Sequence, residues 1–223
     1  MLNKSRVKKA AVFFVLHCRK SHAVFWRSLV VALAALACSV SVQAQVTSLT
    51  MFSDPGDYIG GGQFQFYTPT EGTFIAQNNS DKSVVSLSFD TPSYEHWWHL
   101  DFAAPNNQPL AVGIYAGAVR FPFQSTNQSG LSVYGDGRGC NTLTGSFQVL
   151  EVTYDALNEI NSFDATFEQH CEGGTAALRG EIRYKANVIV NVTAPTHLTA
   201  IENQNQSFTV IATDAQSRHM VLT

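Results

Sequence analysis

The chain has 223 residues, 45% of them hydrophobic, enough to build a substantial core. Its formal charge of −3 hides an asymmetry: residues 1–44 hold seven of the 14 basic residues and no acid, so residues 45–223 set seven basic against 17 acidic residues, a formal −10. That balance argues against gripping a nucleic-acid backbone, where lysine and arginine must displace counterions, and against anionic membrane surfaces.

In chain order, the first element is a leader. Residues 1–27 carry Lys4, Arg6, Lys8, Lys9, Arg19, Lys20 and Arg27, and an apolar stretch runs from Leu29 to about Val42. Val42-Gln43-Ala44 then offers small residues where a signal peptidase requires them, so residues 1–44 read as a signal peptide cut after Ala44. The apolar stretch is shorter than the roughly 20 residues of a spanning helix, and no stable membrane span is expected after cleavage. The expected destination is the periplasm or the exterior. Cys18 and Cys38 leave with the leader, while Cys140 and Cys171 remain. Two cysteines in an oxidising compartment allow one intramolecular disulfide.

Beyond the leader the periodicity is that of strands. Val46–Phe52 is apolar, Asp54-Pro55-Gly56-Asp57 is a turn, and Gln63–Tyr67 alternates with period two. Thr73–Gln77 and Val84–Phe89 follow, the latter with Val85, Leu87 and Phe89 on one face. Trp97–Phe102, Gly113–Arg120 and Leu131–Tyr134 are further strands, with Ile114, Ala116 and Ala118 expected to share a face. In Leu143–Tyr154 the residues Phe147, Val149 and Glu151 fall on one side; in Asn161–His170 so do Phe163, Ala165 and Phe167. Ala177–Tyr184 closes the series. No segment carries a helical stripe. The expectation is an all-β antiparallel β-sandwich, with a closed β-barrel as the alternative. Residues 45–187 form this β domain, and residues 188–223 a β-like extension or loosely packed tail.

The cysteines fit a hairpin. Cys140 lies just before one long strand and Cys171 at the end of the next, and the point midway between them falls in the expected turn at Asp155–Glu159. A Cys140–Cys171 disulfide would therefore tie the open end of that hairpin.

Several segments together carry a resemblance. Gly113-x-Tyr115, Ala118-x-Arg120-Phe121-Pro122-Phe123-Gln124 and Gly135-Asp136-Gly137-Arg138-Gly139-Cys140-Asn141 come first. Phe167-Glu168-Gln169-His170-Cys171-Glu172-Gly173-Gly174 and Ala177-Leu178-x-Gly180-x-Ile182-Arg183 follow. Over about Ser48 to Tyr184 the pattern resembles a recurrent module of secreted bacterial proteins, found alone or beside immunoglobulin-like and fibronectin-like repeats. The resemblance implies a common β fold and brings no activity with it.

Candidate chemistry centres on His96-Trp97-Trp98-His99. In a strand Trp97 and His99 share one face while His96 and Trp98 share the other. The two histidines diverge, so no metal site and no cofactor is expected. One tryptophan is left for a surface or pocket, where an indole stacks on a sugar ring or holds a peptide. Arg138, in its glycine-rich loop, is expected to help form a small anion nest or to pair with Glu168 or Glu172 across the disulfide. Glu151 is expected to be buried and paired with Arg120, Arg179 or Arg183. His170 beside Cys171 suggests thiol–imidazole chemistry, but an oxidised sulfur cannot act as the thiolate. The leading functional expectation is an exported, noncatalytic domain binding a carbohydrate, peptide or envelope component. Trp97, Trp98, His99, Arg138 and His170 are its candidate binding residues, with Glu151, Glu168 and Glu172 in structural roles. The alternatives are a secreted hydrolase using Glu151, His170 or Glu172, and a purely structural domain.

Overall fold

The structure is a computed structural model that describes residues 10–15, 38–194 and 207–214, with side chains placed for residues 44–188. Most of the expected leader and of the C-terminal extension lies outside the described residues. The strands are β1 (Ala10–Val15), β2 (Cys38–Ser53), β3 (Phe64–Tyr67), β4 (Thr73–Asn78), β5 (Val84–Asp90) and β6 (Trp97–Ala103). They continue with β7 (Gly113–Arg120), β8 (Gly130–Gly135), β9 (Leu143–Tyr154), β10 (Ile160–Cys171), β11 (Leu178–Ala194) and β12 (Ser207–Asp214). Among the described residues, no helix is long and apolar enough to cross a membrane.

Two compact units emerge. One consists of Met1–Ala44 with Val188–Thr223, the other of Gln45–Asn187. In the first, β12 pairs antiparallel with β1 and with Val190–Thr193 of β11. In the second, β2 to β11 form one curled, mostly antiparallel ten-stranded sheet, a half-barrel. Its order is β3-β2-β11-β10-β9-β7-β8-β6-β5-β4, and β7 and β8 form its parallel pair. The expected all-β, mostly antiparallel fold with one disulfide is present; its strands join a single curled sheet rather than an evident pair of stacked sheets.

The curl follows from where the large apolar side chains fall. In β5 the buried positions alternate, with Val85, Leu87 and Phe89 inside. In β6 Trp98, Leu100 and Phe102 do the same. Phe102 meets Phe147 at 5.3 Å between ring centroids, Phe163 at 5.4 Å and Phe167 at 6.4 Å. Those rings stand on β9 and β10, which are not neighbours of β6 in the sheet. The sheet must fold over for them to touch, and burying such side chains stabilises by about 1.5–3 kcal/mol each.

Two bulges break the simple alternation. In β7 the register against β9 shifts between Tyr115 and Ala118. Gly117, at φ +64°, carries the irregular turn of chain that other residues adopt with difficulty. Ile114 is consequently 75% exposed while Ala118 is buried, so the expected common face of Ile114, Ala116 and Ala118 does not form. A second shift falls where Glu151 opposes Asp164 and Val149 opposes Ala165. It inserts Leu150 and turns Glu151 away from the face of Phe147 and Val149. Glu151 then accepts hydrogen bonds from Ser162 Oγ at 2.5 Å, the Asn187 N–H at 2.9 Å and Asn187 Nδ2 at 2.6 Å. These neutral donors take the place of the arginine partner that was expected.

The hairpin of β9 and β10 is built as its symmetry requires. Asp155 N–H donates to Glu159 O at 2.9 Å across the turn, and Cys171 opposes Leu143 at the open end. The Cys140–Cys171 disulfide closes that end with 5.2 Å between Cα atoms. Gln169, fully buried on β10, reaches over to β8. Its Oε1 accepts from Val133 N–H at 2.9 Å and its Nε2 donates to Val133 O at 2.7 Å. β8 is paired to β7 only at Gly130 and Leu131, so beyond them the Gln169 amide replaces a strand.

Gln169→Leu would leave both Val133 groups buried and unpaired. Each costs roughly 1–3 kcal/mol, so a loss of at least about 2 kcal/mol is expected in denaturant titration; a change within about 0.5 kcal/mol would refute the clamp. Replacing both Cys140 and Cys171 by serine opens a loop with a sequence separation of 31 and is expected to cost roughly 3–4 kcal/mol in the same measurement. A cost under about 1 kcal/mol would mean the hairpin already restrains the unfolded chain.

Candidate functional site

The pleat of β6 sends Trp97, His99 and Asp101 to the face opposite the core. β8 lies alongside, with His99 opposite Tyr134 and Asp101 opposite Ser132. The aromatic rings gather there. His99 stacks on Tyr134 at 5.2 Å and 15° between planes, while Trp97 meets His99 at 5.6 Å and Tyr134 at 6.3 Å, both edge-on. All three are partly exposed.

The position of Trp97 is fixed by a two-residue turn. Asp136 and Gly137 both have positive φ, +46° and +75°, and Gly135 and Arg138 exchange backbone hydrogen bonds of 3.1 and 2.9 Å around them. This is the tight hairpin geometry that favours Asp-Gly. The Asp136 carboxylate accepts from Trp97 N–H at 2.9 Å and contacts His96 Nδ1 at 2.9 Å, and the Asp136 N–H donates to Trp97 O at 3.0 Å. Gly135 is required for packing, because a Cβ there would collide with Trp97 O and lie 2.6 Å from the Trp98 ring.

Next to the aromatic set lies a pocket of about 350 Å³. Asp101, Ser132 and Tyr134 line it from β6 and β8; Arg120, Phe121 and Pro122 line it from the end of β7; Gly139 and Cys140 complete it. Burial pushes the Asp101 carboxyl above its usual range, partly offset by the Ser86 hydroxyl, which donates to Oδ1 at 2.6 Å, and by the nearby His99. Burial also raises the Tyr134 phenol, and the Asp101 charge adds to this. Arg120 Nη1 donates to Asn141 O at 3.2 Å, and the guanidinium carbon sits 4.9 Å from the centre of the Phe123 ring. Asn141 is held from its other side by Glu172. Glu172 Oε1 accepts from Asn141 N–H at 2.5 Å and Thr142 N–H at 3.2 Å, and Oε2 from Thr142 Oγ1 at 3.0 Å. These N–H groups hold the Glu172 carboxyl below the usual range, with Arg120 adding a smaller effect.

The sequence-predicted residues divide. Trp97 and His99 stand together on the outer face. Trp98 is fully buried under it, in the core. Arg138 leaves the tight turn in another direction and lies against Gly61, where an added Cβ would come within 2.7 Å of Nη1. The expected partners of Arg138 are engaged elsewhere: Glu172 as described, and Glu168 with Arg179 Nε at 2.7 Å and His170 Nε2 at 3.0 Å. Arg179 also bridges to Asp54 at 2.8 Å. His170 and then Arg179 draw the Glu168 carboxyl below its usual range. Among the described residues, no hydrogen bond, ion pair or ring contact joins His170 or Arg138 to Trp97 or His99. Asp101, Arg120, Ser132 and Tyr134 were not singled out from sequence as a binding site. Their signal was present only as alternation, in Trp97-x-His99-x-Asp101, and β8 is too short to announce its partner.

A second, smaller pocket of about 270 Å³ lies by Ile114, Ser146, Gln148, Thr166 and Glu168. Among the described residues, no group of three or more histidine, cysteine, aspartate or glutamate side chains could hold a metal ion. Comparison with known proteins finds no matching family model, no matching curated protein and no matching solved structure.

The raised pKa of Asp101 gives a signed prediction. Between its ordinary value of 3.8 and the raised one, the folded protein holds the proton more tightly than the unfolded chain. Its contribution to stability is complete below pH 3.8 and is lost as pH rises through the raised value. Asp101→Asn keeps an acceptor for Ser86 and carries no charge. The variant is expected to unfold at higher denaturant than the parent at pH 7, with the gap closing towards about pH 3.5. A gap that widens on acidification would contradict the burial of Asp101.

Proposed function

We propose that the protein is an exported, noncatalytic β domain that binds carbohydrate on the outer face of β6 and β8. The observation that carries this reading is the continuity of an aromatic set, Trp97, His99 and Tyr134, with a pocket holding a carboxyl, a hydroxyl and a guanidinium. Sugars present C–H faces that pack on aromatic rings and hydroxyls that need paired acceptors and donors at fixed positions. A mostly preformed concavity of this size with a few convergent polar groups is the usual form of a small-ligand site. The basic leader and the resemblance to a module of secreted bacterial proteins support export. A binding role is favoured over glycoside hydrolysis because the lining supplies one carboxyl, Asp101, whereas that reaction ordinarily uses two.

The test is calorimetric titration of the full chain with a panel of soluble neutral and acidic oligosaccharides. Binding is expected for at least one of them. Trp97→Ala and Tyr134→Ala should each weaken it tenfold or more, and Ile114→Ala, at the second pocket, should leave it unchanged. No binding across the panel, or binding indifferent to both aromatic substitutions, would sink the proposal.

A further inference from the structure

Arg120 gives the pocket a chemical preference, an inference that rests on the carbohydrate reading above. Arg120 is the cation of the lining, and among the described residues no carboxylate lies within ion-pair distance of it. The acid whose charge reaches it, Glu172, uses both oxygens on Asn141 and Thr142. Arg120 itself is positioned by Asn141 O at one Nη and by the Phe123 ring beside its guanidinium. A guanidinium carries five N–H donors in a fixed fork. One of them is used here, so most of the fork has no protein partner.

An anchored guanidinium at the edge of a pocket matches a planar carboxylate, which it can bind through two parallel hydrogen bonds. The rest of the lining matches a sugar ring. We propose that the ligand is an acidic sugar of the uronic-acid type: its carboxylate pairs with Arg120, its hydroxyls bond to Asp101 and Ser132, and its ring lies against Tyr134. Asp101 shares the pocket with that carboxylate. Its oxygen Oδ1 already accepts from the Ser86 hydroxyl, and a sugar hydroxyl donating to the carboxyl would stand between it and the ligand's own carboxylate. An amino sugar would instead set its ammonium against Arg120.

The experiment titrates the full chain at pH 7 with trigalacturonate, its methyl ester and a glucosamine trimer. The acid and its ester share ring and hydroxyls and differ in charge. Trigalacturonate is expected to bind at least tenfold more tightly than the ester, with the advantage shrinking as salt is raised. Arg120→Gln should remove that advantage, weakening acid binding more than ester binding, and Arg120→Lys should restore part of it. Equal binding of acid and ester, an equal loss of both in Arg120→Gln, or preference for the glucosamine trimer would overturn the inference. Should Arg120→Gln fail to fold, the acid–ester ratio and its salt dependence in the parent decide alone. Neutral sugars bound through Trp97 and Tyr134 without any preference for the acid would remove this inference and leave the proposed function standing. Binding of no sugar at all would remove both.

Discussion

The pleat of β6 couples the core of this domain to its candidate site. Successive side chains of a strand point to opposite faces, so placing Trp98, Leu100 and Phe102 inside obliges Trp97, His99 and Asp101 to stand outside. A slip of one residue would exchange the two sets. The slip is opposed on both sides of the strand. Phe89 of β5 lies opposite Trp98, and Gly135 of β8 is the residue without a Cβ over which the Trp98 ring packs. The Phe102 cluster then draws β6 against β9 and β10, so one set of buried rings fixes both the register of the strand and the curl of the sheet.

Around this strand, irregular segments are held by side chains rather than by ladders. Asp136 grips the main chain of Trp97 from both sides, Gln169 stands in for a missing neighbour of β8, and Glu172 fixes the backbone of Asn141 and Thr142 beside the disulfide. Each satisfies backbone groups that the curled sheet leaves unpaired, and at the buried Val133 this avoids a cost comparable to a lost hydrogen bond. The last of these also reaches the pocket. Glu172 holds Asn141, Asn141 O receives Arg120, and Cys140 is itself part of the lining. The disulfide end of the hairpin and the wall of the pocket are therefore one construction.

Much of this was legible from residues alone, and the parts that were not share a cause. The β5 and β6 faces follow from period two, and the clasp at Cys140 and Cys171 follows from its symmetry about the Asp155–Glu159 turn, because both are local in sequence. The faces of Ile114 and Glu151 were misjudged because a single inserted residue, near Gly117 and at Leu150, reverses every side chain beyond it while leaving the composition of the strand unchanged. The pairing of β6 with β8, and of β8 with the end of β7, joins segments distant in the chain. Tyr134, Ser132 and Arg120 therefore meet Asp101 through topology that alternation does not encode.

The same topology separates the two arginines flanking the cysteine segment. Arg138 carries the more conspicuous sequence context, between glycines and next to Cys140, yet the tight turn directs it to Gly61. Arg120 stands in an unremarkable strand end, and the parallel pairing of β7 with β8 brings it to the pocket. Arg179 pairs with Asp54 and Glu168 and Arg183 with Glu181, whereas Lys82, like Arg120, is held by a neutral oxygen and a ring, those of Asn158 and Tyr154. What sets Arg120 apart is its place in the pocket wall, held by a carbonyl and an aromatic ring and, among the described residues, with no carboxylate at ion-pair distance. Its surroundings place it without neutralising it, and the proposed recognition of an acidic ligand rests on that combination.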